Sequence, residues 1–346
     1  MAEERSEGDK DAGDTAALFG KVPSYKFKRP NAVFRNFITQ DGSSGYPAEA
    51  NRYHLYISYG CPWACRCLAV RNIKGLQDVI GVTVVKPVFE RTRPDLDEHM
   101  GWAFATFENE EPRASPDPIN NAKFIRDLYE ISDLENSKKG RYSVPVLWDI
   151  KSNTIVNNES SEIIRIFNSE FNHLARNPDL NLYPVELQAS IDEVNSWVYD
   201  DINNGVYKVA FSTTQEDYDR TVNALYAGLD RAESLLEEHR YLVGDILTEA
   251  DIRLFMTLIR FDEAYAVNFK CNKRLIREYP NLFNYTKDLF QVLCTWQDSR
   301  VGETVDFYHI CKCYFSNFVG LNPYKIIPIG STSWVDWSTP HNRDRF

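Results

Sequence analysis

Residues 53–67 read Tyr-His-Leu-Tyr-Ile-Ser-Tyr-Gly-Cys-Pro-Trp-Ala-Cys-Arg-Cys, and the fold is decided here. His54 and Tyr56 alternate with Leu55 and Ile57. That composition suits a pleated, half-buried surface, so 53–57 is predicted as a strand. Ser58, Tyr59 and Gly60 turn the chain. Cys61 follows, then Pro62 at the position that begins a helix. A cysteine placed just ahead of a helix meets unpaired backbone N–H groups and the positive end of the helix dipole. That setting lowers a thiol pKa and supplies thiolate near neutral pH. The competing reading is a buried, inert cysteine, the usual state of a free thiol. The order strand, turn, cysteine, proline, helix favours the reactive one.

Outward from this stretch, the helix from Pro62 runs to about Lys74. Val79–Val85 is a β-branched run and a second strand, giving a β-α-β unit with parallel strands. Residues 86–118 carry Pro87, Pro94, Pro112, Pro116 and Pro118 and the segment Gly101-Trp102-Ala103-Phe104. An irregular stretch of this length inside a domain usually serves function. The spacing of Ala122, Ile125, Leu128 and Tyr129 predicts a helix over 120–131. Ser143–Asp149 opens a third strand, with Pro145 near its start and able to take the cis form. Thr154–Val156 is a fourth strand. Asn157-Asn158-Glu159-Ser160-Ser161-Glu162 starts a helix to about Phe167, with polar caps and acidic residues in its first turn. The order β-α-β then α-β-β-α is thioredoxin-like. In that arrangement the first helix carries the cysteine, and the segment before the proline offers backbone to a bound thiol peptide.

Beyond a linker at 169–184 the pattern is helical, with helices near 185–203, 216–239, 248–265, 279–294 and 303–315. Thr248-Glu249-Ala250-Asp251 is a capping box. The expected fold class is therefore α/β plus all-α. A thioredoxin-like domain at 28–170 precedes an all-helical domain at 185–320. Residues 1–27 are expected to be a disordered leader, and 321–346 a tail on the surface.

Composition narrows the function classes. Hydrophobic residues make up 43% of the chain, enough for sizeable cores, and no apolar run reaches the roughly 18 residues of a membrane span. The net charge of −11 disfavours nucleic acid as a partner. The N-terminus lacks the basic start and apolar stretch of a signal peptide. Seven loosely spread cysteines then argue for thiols in a reducing compartment and a cytoplasmic protein. Cys311, Cys313 and His309 do not have zinc-ligand spacing, so no metal is expected.

Six further segments carry a resemblance when taken in order: Cys61-Pro62-Trp63-Ala64, Gly101-Trp102-Ala103-Phe104, Val144–Asp149, Asn157–Arg165, Ile202-Asn203-Asn204-Gly205-Val206-Tyr207 and Leu321-Asn322-Pro323. With Val243-Gly244-Asp245 ahead of the capping box, the chain from about residue 28 to 330 resembles the glutathione transferases. Within them it is similar to the Xi class, the glutathionyl-hydroquinone reductases. The resemblance implies a cysteine-type enzyme, with glutathione as co-substrate, glutathionylated aromatic or quinone substrates, and a homodimer. It implies that Cys61 attacks the sulfur of a glutathionyl-hydroquinone, releases the hydroquinone, and is freed by a second glutathione as oxidised glutathione leaves. Trp102, Arg126, Val144, Glu159 and Ser160 would hold glutathione. Tyr199 and Tyr314 would offer catalytic phenols, with Tyr207 in the substrate pocket.

Each of these residues also has a plainer reading. Trp102 can fill a hydrophobic gap, Glu159 and Ser160 can simply cap a helix, and the tyrosines can be core. The chain departs from the family pattern at Cys65, where a histidine is usual, and at Phe315, where a tyrosine is usual. Cys65 lies one helical turn from Cys61 and could be a resolving thiol. A disulfide needs Cβ atoms about 3.8 Å apart, and small buried packing suits the position better. These departures leave open a non-catalytic aromatic-ligand carrier on the same scaffold, and a scaffold or assembly subunit is a third reading. Intact Cys61-Pro62 with Glu159-Ser160 argues against the last.

Overall fold

The computed structural model describes residues 24, 27, 29–137, 141–295, 304–330 and 335–346. The expected leader over 1–27 falls mostly outside them. At its end, Ser24 and Phe27 are buried rather than loose: Ser24 Oγ donates to Asp217, and the Phe27 ring packs edge-on against Phe211.

Strand β1 (Tyr53–Ile57) is buried along its whole length. Helix α1 (Pro62–Ile73) follows it and returns to β2 (Gly81–Val84), which pairs parallel to β1. Short strands β3 (Glu90–Arg91) and β4 (Met100–Gly101) form a separate antiparallel pair. Helix α2 (Ile125–Ser132) leads to β5 (Val146–Asp149), β6 (Thr154–Asn157) and helix α3 (Ser160–Ser169). The sheet order is β2-β1-β5-β6, with β5 antiparallel to both neighbours.

The third strand is shorter than its apolar run suggests. Pro145 has no N–H for the ladder, its bond from Val144 is cis, and pairing begins only at Val146. The helix expected from residue 120 begins at Ile125. Asn121 has a φ of 52°, Ala103 bridges to Phe124, and the Lys123 and Phe124 N–H groups are taken by the Asp127 carboxylate. The proline-rich stretch is ordered around Asp117, which accepts from the N–H groups of Ile119, Asn120 and Ala122 and from the Tyr56 hydroxyl.

The second half is helical: α4 (Gln188–Trp197), α5 (Gly205–Ala210), α6 (Gln215–Glu238), α7 (Glu249–Arg260), α8 (Pro280–Thr295) and α9 (Phe307–Asn317). The periodicity does not reveal α5. A π-turn, Val198–Asn203, joins it to α4. Asn203 donates to Thr257 and to the Arg253 carbonyl, and Asn204 to the Phe27 carbonyl. The Asn-Asn-Gly run thus ties α4 and α5 to α7 instead of ending a helix. A second π-turn, Phe261–Tyr265, extends α7 and rotates the residues after it off the α-helical register.

The capping box is formed as expected. Asp251 accepts from Thr248 N and Oγ1, and beyond the box from Leu242 N and the Tyr285 hydroxyl. Helix α1 packs against both α3 and α7, so nearly every face of it is buried and Cys61 sits where the two halves meet. Tail residues 323–327 are exposed, and the end of the tail also packs on the helical half. Trp337 stacks on Phe307, Lys287 donates to Thr339, and Arg343 is fully buried with its guanidinium on the carbonyls of His239 and Arg240.

Candidate active site

Two adjoining cavities meet at the start of α1. Cys61, Phe89, Trp102, Tyr207, Tyr314 and Phe318 line the larger, and Glu159, Ser160, Asn158, Arg66 and Tyr199 the smaller. Arg29, Trp63, Arg141, Ser143 and Val144 belong to both.

Cys61 is the N-cap residue of α1, in extended conformation with Pro62 as the first helical residue. Its thiol donates to the Val144 carbonyl at 3.6 Å. Burial pushes this thiol up. The backbone N–H groups of Ala64 and Trp63, then Arg29 and Arg260, pull it back without cancelling the effect. The lowered pKa expected from a helix start is thus not the resting state: the dipole and cations are in place, but desolvation outweighs them.

Gly60 is required by a close approach. A Cβ there would lie 2.5 Å from the Cys313 sulfur and Cβ. Cys313 shares the cavity, yet burial raises its thiol to about 12, too high for an attacking role. Cys65 lines neither cavity. It is fully buried, with its sulfur 3.4 Å from the Tyr59 carbonyl and accepting from Arg260 at 3.1 Å. Burial takes its thiol to about 11. Packing, not disulfide resolution, is the role this environment allows. Phe315 is buried and also lines neither cavity, so the phenol missing there does not alter the cavity walls.

Glu159 is the N-cap of α3. Its carboxylate accepts from Ser161 N at 3.0 Å and Ser161 Oγ at 2.8 Å. Burial works to raise this carboxyl, but the Ser161 N–H and the nearby Arg66 outweigh it and hold it below the usual range. Arg66 donates to Ser160 Oγ at 2.6 Å. Glu159 therefore caps α3 and, with Ser160 in its first turn, walls the smaller cavity, where amide donors, a carboxylate and a guanidinium face one space. Trp102 is half-buried on the larger cavity with its ring edge-on to Phe89 at 4.5 Å.

Two expectations need correction. Arg126 does not reach either cavity. It is 6% exposed, paired at 2.7 Å with both Asp97 and Glu130, and these acids hold its guanidinium away from the site. Among the described residues, Arg66 lines the smaller cavity, and Arg29 and Arg141, which the sequence reading missed, line both. Both were hidden because each sits in a stretch without helical or strand pattern. Tyr199 does not face the cavity that holds Cys61. It belongs to the π-turn, stands at the smaller cavity 38% exposed, and its ring lies 5.8 Å from Trp63.

The phenols facing Cys61 are Tyr207 and Tyr314, with hydroxyl oxygens 2.9 Å apart. Tyr265, behind them, extends the chain at 2.8 Å from Tyr314. Burial raises all three, Tyr265 and Tyr314 well above the ordinary value, so they are neutral hydrogen-bonding groups at neutral pH. Tyr265 is absent from the sequence reading because the π-turn that aims it leaves no mark in the periodicity.

Comparison with known proteins places this geometry. Residues 60–170 match the glutathione S-transferase N-terminal domain family, and 215–288 match the glutathione S-transferase C-terminal domain family. The chain is 45% identical over 325 residues to glutathionyl-hydroquinone reductase YqjG of Escherichia coli, covering 92% of each chain. Its glutathione-bound structure superposes with a TM-score of 0.82 over 91% of this chain and 97% of that one. Glutathionyl-hydroquinone reductase PcpF of Sphingobium chlorophenolicum is 39% identical, covering 88% of this chain and 90% of its own. The crystal structure of a glutathione S-transferase Xi from Phanerochaete chrysosporium is 48% identical, with a TM-score of 0.80 over 91% of this chain and all of that one. The chain belongs to the Xi class of glutathione transferases, the family of the glutathionyl-hydroquinone reductases.

Proposed function

We propose that this chain reduces glutathionyl-hydroquinones with glutathione, through a mixed disulfide on Cys61. One observation carries the reading: a helix-start cysteine lines a cavity with two hydrogen-bonded phenols, beside a smaller cavity walled by a polar helix end. The smaller cavity suits the γ-glutamyl end of glutathione. Glu159 faces its ammonium, and Ser160 with the amide end of α3 faces its carboxylate. The Val144 backbone, which the Cys61 thiol now uses, pairs with the cysteinyl unit. Trp102 packs on the peptide, and Arg141 takes the place that Arg126 cannot fill. That guanidinium is lowered to about 10 by burial and by Arg29, and is still a cation at neutral pH.

The Cys61 thiolate attacks the glutathione sulfur of the conjugate. The sulfur–aryl bond breaks, its electron pair passes to the ring, and a proton completes the released hydroquinone. Tyr207 and Tyr314 bond the ring oxygen and pass the proton, with Tyr265 behind them. A second glutathione thiolate attacks the mixed disulfide. Oxidised glutathione leaves and Cys61 returns to thiolate. The N–H groups of Trp63 and Ala64 and the charge of Arg29 stabilise that thiolate as it forms, against a burial that favours the thiol. Tyr199, at the smaller cavity, borders the peptide and takes no part in the proton path. A homodimer and a cytoplasmic location complete the proposal; both rest on the family resemblance and on the free cysteines.

Turnover of a glutathionyl-hydroquinone with glutathione, wild type against Cys61→Ser, tests the reading. Equal rates in the two proteins would sink it. Trapping a Cys61–glutathione disulfide by mass spectrometry would support it directly.

A further inference from the structure

We propose that the aromatic part of the substrate carries an anionic substituent, a ring carboxylate or its equivalent, and that Lys325 recognises it. The inference rests on the glutathione-conjugate reading above and adds the class of ring. The chain carries a net charge of −11, yet among the described residues lining the larger cavity none is an aspartate or glutamate. Three of them are cations: Arg29, Arg141 and Lys325.

The conjugate's peptide and the nucleophile account for two of these. Arg141 serves one glutathione carboxylate, the other facing Ser160 and the amide end of α3, and Arg29 faces the Cys61 sulfur; Glu159 serves the ammonium. Lys325 borders the larger cavity alone, beside Phe318 and Val319, and is surplus to the peptide. An apolar ring held against Phe89, Trp102 and Phe318 would share the cavity with that lysine. A neutral hydroquinone gives the lysine nothing to bind; an anionic one completes the charge balance.

The position of Lys325 is built rather than incidental. Its φ is 53°, a left-handed conformation uncommon for lysine. Its N–H closes a turn on the Asn322 carbonyl at 3.1 Å. Asn322 Nδ2 donates to the Phe315 carbonyl at 2.7 Å and to the Ile326 carbonyl at 3.0 Å, which fastens the turn to α9.

The test uses glutathione conjugates of one hydroquinone ring, unsubstituted, with a carboxylate, or with a trimethylammonium group. In wild type, kcat/KM for the carboxylate should exceed that for the unsubstituted ring by about two- to fivefold, the range for an exposed ion pair. Lys325→Met should abolish this ratio, Lys325→Arg keep it, and Lys325→Glu reverse it toward the trimethylammonium conjugate. Added salt should shrink the wild-type ratio. Calorimetric binding of the same conjugates to the Cys61→Ser protein should give the same ranking without turnover. The same ratio in wild type and Lys325→Met, or a flat binding ranking, overturns the inference. Charge-dependent binding that needs Lys325, with no turnover of any conjugate by wild type, would leave it standing and remove the reductase reading instead.

Discussion

The two cavities share a wall and differ in what they ask of a ligand. The smaller is bounded by Glu159, Ser160, Arg66 and Asn158, groups that form directional hydrogen bonds and discriminate by geometry. The larger is bounded by rings, two thiols, paired phenols and the cations Arg29, Arg141 and Lys325, and suits a flat molecule of matching size. Cys61 lies on the larger side but takes its backbone partner, Val144, from the shared wall. The contrast teaches a division of labour. On the proposed reading, a helix end and ion pairs would select the peptide, packing together with Lys325 would hold the ring, and the chemistry would occur at the boundary.

Breaking the boundary should have the largest effect. Cys61→Ser is expected to lower turnover by about a thousandfold or more, while glutathione binding measured by calorimetry persists. Next comes the larger cavity. Tyr314→Phe removes the central hydroxyl of the phenol chain, and kcat should fall by about a hundredfold with KM for glutathione little changed. An unchanged kcat would show that the phenols serve packing only. In the smaller cavity, Glu159→Gln keeps the capping acceptor but removes the charge. KM for glutathione should rise by about tenfold or more, with kcat largely retained. The shared wall gives a paired test: Arg141→Met should raise that KM several-fold by losing a charged hydrogen bond, whereas Arg126→Met, which lines neither cavity and lies behind Tyr142, should not. The reverse order would restore Arg126 to the site.

The smallest effect expected is on titration. Arg29→Met should move the pH midpoint of Cys61 alkylation upward, because a charge that favours thiolate is removed. At a fixed pH below the midpoint the variant should then react more slowly. A midpoint that falls would show that Arg29 does not face the sulfur.

Features carried by local chemistry were legible in the chain. The strand-turn-Cys61-Pro62 order, the Thr248–Asp251 box and the Glu159-Ser160 helix start each involve residues within a few positions of one another, and the structure forms each of them. Where distant residues compete for the same group, the reading failed. Nothing near Arg126 in the helix pattern reveals that Asp97, 29 positions earlier, claims its guanidinium. The tail residues Trp337 and Arg343 look like surface until α8, α9 and the His239 carbonyl supply their partners.

The sequence by itself determined the order of elements, the cysteine at a helix start and the polar helix end at Glu159-Ser160, because backbone propensity and capping act over one or two turns. Only the tertiary structure decided which phenols share a cavity with Cys61, which arginines line the two cavities, and that burial raises the Cys61 thiol. Those outcomes depend on two π-turns and on desolvation between the two halves of the chain, and each is a sum over neighbours that sequence spacing does not record.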